Sequence, residues 1–180
     1  MKLARMTNTS SFIVIEKLEA AQRQAAQGIR LFFARGDEVA IHTLVAAAYQ
    51  IASDLCAHAG IKRVLEDSEI LKEMGAKKEV LAALREPQNF FKHADKDPKG
   101  TVRFSPFLSV GLLVYFTYYY TQLTQRRFVE GDVFLIWFYL KHPERAPSEY
   151  QATVRQAASI LDHNDFELFS QQIAERSKRG

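Results

Sequence analysis

Arg85, Asn89 and His93 recur every four residues in REPQNFFKHADKDP, a spacing that would align them along one side of a helix. Together they could handle a phosphodiester. An imidazole exchanges a proton near neutral pH, a guanidinium stabilises negative charge developing on phosphate, and an amide orients a ribose or phosphate oxygen. That set suits metal-independent RNA cleavage, in which the RNA's own 2′-hydroxyl is the nucleophile. His93, Asp95 and Asp97 offer a different chemistry, an N/O donor set for a divalent metal with His42 as a further ligand, although their spacing matches no standard metal motif. A third reading needs no ligand. Asn89 and His93 are then a helix-terminal pair, and Asp95 and Asp97 organise the turn before Pro98.

The elements that must position these side chains read as helices. The first is predicted from Ser11 to Ala34, with Gly36 as its stop and Asp37 as the N-cap of the next. The second, EVAIHTLVAAAYQIASDLCAHAG, places Ile41, Leu44, Val45, Ala48, Ile51, Ala52 and Leu55 on one broad face and ends at Gly60. His42, Tyr49 and Cys56 follow at heptad spacing along the edge of that face, the pattern of a seam against a neighbouring helix. One or two shorter helices follow, broken near Gly75 and again at Pro87, since proline disfavours helical backbone in the residue before it. QNFFKHA is then a separate short helix or a kinked continuation, and Phe90 and Phe91 anchor it. Ser105-Pro106 opens a long aromatic helix to about Leu123. GDVFLIWFYLKHP suits a buried strand or a buried helix over 133–140, and its helical surroundings favour the helix. Capping-box spacing at Ser148–Gln151 and Asn164–Glu167 opens two closing helices.

The expected fold is therefore a single-domain, all-α bundle of six or seven helices spanning residues 1–180. At 180 residues the chain can bury one substantial core, and a net charge of +3 permits RNA without arguing for it. Cys56 is the single cysteine, which excludes an intramolecular disulfide and points to a reducing, cytoplasmic setting. From Phe104 to Gln125 no residue is charged, yet the hydroxyls, amides and tyrosines there suit a buried helix better than a membrane span. No nucleotide-binding glycine loop, zinc cysteine set, nucleophile elbow or HExxH motif is present, so no cofactor is expected. Tyr115, Phe116, Tyr118, Tyr119 and Tyr120 go all round the aromatic helix, which predicts that some face a partner, most simply a second copy in a homodimer.

Two stretches, KLEAAQRQAAQGIRLFFARGDEVAIHTLVAAAYQIASDL and REPQNFFKHADKDPKG, resemble a family of uncharacterised bacterial proteins with the same order of segments. That resemblance covers residues 15–125, leaves 126–180 as additional C-terminal helices, and implies no activity. More distantly, Asn89-Phe-Phe-Lys-His93 is similar to part of the signature of HEPN domains, helical-bundle proteins of toxin–antitoxin and phage-defence systems, many of them dimeric metal-independent ribonucleases. The resemblance implies His93 as the proton-transfer residue and Arg85 or Asn89 against phosphate. In that signature an Arg directly precedes the Asn. Here the position holds Gln88, and Arg85 lies eight residues before His93. A non-enzymatic helical interaction or scaffold protein acting as a homodimer is the alternative.

Overall fold

The computed structural model describes residues 12–95 and 97–179. The described chain is all-α: α1 (Lys17–Phe33), α2 (Glu38–His58), α3 (Glu69–Glu73), α4 (Lys77–Phe90), α5 (Phe107–Thr124), α6 (Val129–Lys141), α7 (Gln151–Ala158) and α8 (Phe166–Ser177), with single 3-10 turns at Pro143–Arg145 and Ser148–Tyr150. The ambiguous 133–140 segment is helical, within α6. The predicted start at Ser11 lies outside the described residues, and residues 12–16 are not helical, so α1 begins at Lys17.

The bundle is organised around α2. Asp37 caps it, accepting from the Ala40 N–H at 2.9 Å, and its buried residues include Ile41, Val45, Ala48, Ala52 and Cys56. Both α1 and α5 pack along this helix. The approach of α1 depends on Gly28, where a Cβ would come within 2.7 Å of Val45 Cγ2. By length and apolar content α2 could cross a bilayer, but half of its most apolar window is buried in the bundle. On the far side of α1, α6 and α8 close an aromatic cluster in which Phe33 stacks on Phe169 at 5.2 Å and Phe32 meets Trp137 edge-on at 4.8 Å.

Three helix ends share one backbone device. After α1, α2 and α3 the chain closes with the paired 6→1 and 5→2 hydrogen bonds of a Schellman motif, such as Gly36 N–H to Leu31 O at 2.8 Å and Arg35 N–H to Phe32 O at 3.1 Å. The left-handed position is Gly60 (φ 69°) after α2 and Gly75 (φ 66°) after α3. After α1 it is Arg35 (φ 53°), and Gly36 stands one place later. Gly36 therefore supports the stop without supplying the left-handed turn.

Two sequence expectations change here. Of the two readings of QNFFKHA, the separate short helix is not found: α4 runs through Pro87 to Phe90. Proline there removes only the bond to the carbonyl of Ala83, an exposed residue that water can serve, and the Phe91 N–H still donates to Pro87 O at 3.0 Å. The capping spacings also resolve differently. Ser148 opens a 3-10 turn without a side-chain cap, and α8 is capped by Asp165, accepting from Leu168 N–H at 3.1 Å, not by Asn164.

Candidate functional site

The end of α4 and the loop after it enclose an open cleft of about 690 Å³ lined by Glu86, Asn89, Phe90, His93, Asp95, Asp97 and Thr101. Four of the five residues singled out in the QNFFKHADKDP stretch and its helix (Asn89, His93, Asp95, Asp97) thus share one concavity. Local backbone chemistry builds it. The His93 N–H donates to Asn89 O at 3.2 Å, carrying the helical turn past its end. Asp97-Pro98-Lys99-Gly100 then forms a tight turn closed by Gly100 N–H to Asp97 O at 2.8 Å, with Asp, Pro and Gly at the positions a type I turn favours. A Cβ at Gly100 would lie 2.5 Å from Asp97 Oδ2, so a larger residue there would push the Asp97 carboxylate aside.

Phe91 fixes the cleft to the core. Its ring meets Phe104 at 5.5 Å and His42 at 5.9 Å, both edge-on, while His42 itself lies 4.7 Å from Phe104. His42 is fully buried, its Nδ1 is 3.0 Å from the Ser109 hydroxyl, and its Nε2 has no hydrogen-bond partner. Burial among these rings pushes the imidazole down to about 4, so it stays neutral. His42 therefore supports the segment that carries His93 and does not itself line the cleft.

Arg85 is not in the cleft. It lines a narrow crevice on the other flank of α4 with Tyr49, Gln50, Glu66 and Gln88. Steps of four residues rotate by about 40° on an α-helix, so the stripe from Arg85 through Asn89 to His93 winds from the edge of the core face to the solvent side. Glu86, seven residues before His93, falls where a straight stripe would have placed a cation. Among the described residues no three His, Cys, Asp or Glu side chains converge on a point where they could hold a metal ion, so His93, Asp95 and Asp97 share the cleft without forming a ligand cage.

The sequence reading missed a buried carboxylate beside the crevice. Glu66, 6% exposed, accepts from the Tyr49 hydroxyl at 3.0 and 3.1 Å and from the Ser53 hydroxyl at 2.9 Å. Burial and the neighbouring carboxylate push the Tyr49 phenol well above its ordinary range. Tyr119, whose hydroxyl accepts from Val64 N–H at 2.8 Å, is pushed up to about 12 by burial. Glu66 lies in a loop, where no period marks it.

The aromatic helix α5 is mostly spent in the core. Phe116 and Tyr119 are fully buried and Tyr115 and Tyr120 partly so, which leaves Tyr118 as the outward tyrosine at 46% exposure. No protein-family model, curated protein or solved structure matches this chain.

Proposed function

We propose that the protein is a non-enzymatic helical interaction module whose recognition surface is the cleft at the end of α4. The observation that carries this reading is the cleft's charge. Glu86, Asp95 and Asp97 line it beside Asn89, His93 and Phe90, and no described arginine or lysine does. Three carboxylates repel an incoming phosphodiester, whereas they suit a lysine or arginine side chain of a partner protein, with Asn89 for directed hydrogen bonds and Phe90 for its aliphatic stem.

A second reading, HEPN-like metal-independent RNA cleavage, is favoured by one observation: Asn89 and His93, the matching half of that signature, do share the cleft. It would require a second copy of the chain to bring Arg85, or another cation, to His93. Incubating RNA with wild type and with His93→Ala, each with and without EDTA, separates the two. The interaction reading predicts no cleavage in any arm. Cleavage that survives EDTA and disappears in the variant would replace it with the nuclease reading.

A further inference from the structure

A second concavity lies at the opposite end of α1's chain direction from its start, where α1 ends and α5 begins. It has a volume of about 390 Å³, within the range of small-molecule sites, and its floor is formed by Phe32, Trp137 and Phe166. Phe107 stands at its rim with 57% of its surface exposed, so the aromatic surface is open to a ligand. Two cations overhang it. The Arg35 guanidinium lies 5.0 Å from the centre of the Phe166 ring, and the Lys141 ammonium 5.3 Å from that of Trp137. Among the described residues neither cation takes part in a salt bridge. Glu38 is the one carboxylate on the lining, leaving an excess of one positive charge.

The chain holds Arg35 there against a local preference. Of the three helix ends closed by the same hydrogen-bond pair, two place glycine in the left-handed position and the third places Arg35 there, with a glycine available at the next residue. Gln125, at the end of α5, is the other described non-glycine residue with such a backbone, and it returns its side-chain amide to Gln122 O at 3.1 Å. Arg35 makes no comparable local bond; its side chain reaches over the groove instead.

We propose that this groove binds a small planar aromatic anion, its ring against Phe107 and its acidic group between Arg35 and Lys141. The site is separate from the α4 cleft and does not depend on the function assigned to it. Trp137 is the only tryptophan in the chain and forms part of the floor, so its fluorescence reports on the groove directly.

The test is titration of the full chain with benzoate and with adenosine 5′-monophosphate, each beside its neutral counterpart, benzyl alcohol and adenosine, followed through Trp137 emission. The expected result is a saturable change with at least one anion and affinity about tenfold or more weaker for its neutral counterpart. Arg35→Gly and Lys141→Gln should each weaken that anion by about tenfold. Arg35→Gly keeps the helix end intact, since glycine suits the left-handed position, so a loss of binding there cannot be attributed to misfolding. Equal affinity for anion and neutral counterpart, unchanged affinity in both variants, or no saturable change with any of the four probes to millimolar concentration would overturn the proposal.

Discussion

The His42 imidazole stands nearly perpendicular to the Phe91 ring, with centroids 5.9 Å apart and an interplanar angle of 86°. This contact couples α2, on which the bundle is organised, to the segment that presents Asn89 and His93. The α4 wall of the cleft is thus anchored to the core, and its stability should follow the charge state of His42.

That charge state gives a pH prediction. His42 has a folded value of about 4 against an ordinary 6.5, the cause being burial. A depressed histidine is neutral in the fold, so its contribution is complete above pH about 6.5 and is lost as pH falls towards 4. Urea unfolding should show up to about 3 kcal/mol lost across that window, and less in His42→Gln, which cannot be protonated there. A variant with the same pH slope as wild type would remove His42 as the source.

Glu66 should behave as a carboxylate whose solvation is supplied by hydroxyls. Tyr49→Phe removes one donor while retaining the ring, and is expected to cost about 1–3 kcal/mol in chemical denaturation. Tyr119→Asp, on a fully buried ring, should prevent folding and so says nothing about assembly. Tyr118→Asp is the substitution that tests a homodimer through α5: a shift in sedimentation with unchanged stability would support such an interface, and unchanged sedimentation of an assembled protein would place it elsewhere.

Two glycine-related substitutions should differ in cost. Gly28→Ala forces a methyl to 2.7 Å from Val45 and should destabilise by about 1–3 kcal/mol as α1 is pushed off α2. Arg35→Gly relieves a left-handed residue worth about 1 kcal/mol and gives up a cation–π contact of about 0.5–1 kcal/mol, so it should lie within about 1 kcal/mol of wild type. Thermal or denaturant unfolding of the two side by side checks both.

How far the sequence could be read depended on the range of each interaction. The period of Ile41, Val45, Ala48 and Ala52 is a local property of one helix and gave α2 almost to the residue, because Asp37 and Gly60 mark its ends by their own backbone chemistry. Asn89, His93, Asp95 and Asp97 were recognisable for the same reason, lying within nine residues of one another. Arg85 was misplaced because a stripe of four-residue steps winds round the helix, which matters over eight residues and not over four. Pro87 was read as a break or a kink, although the one bond it removes belongs to the exposed carbonyl of Ala83. The partners of Glu66 and the Arg35–Phe166 pairing depend on contacts between separate segments, which no local pattern encodes.

The central claim is that the α4 cleft recognises a cationic group. It is tested most directly by titrating the full chain with oligolysine at low salt, comparing wild type with the Glu86→Gln/Asp95→Asn double variant. The account predicts saturable binding to wild type, weakened about tenfold or more in the double variant and by added salt. Equal binding by both proteins, or none by wild type, would contradict it.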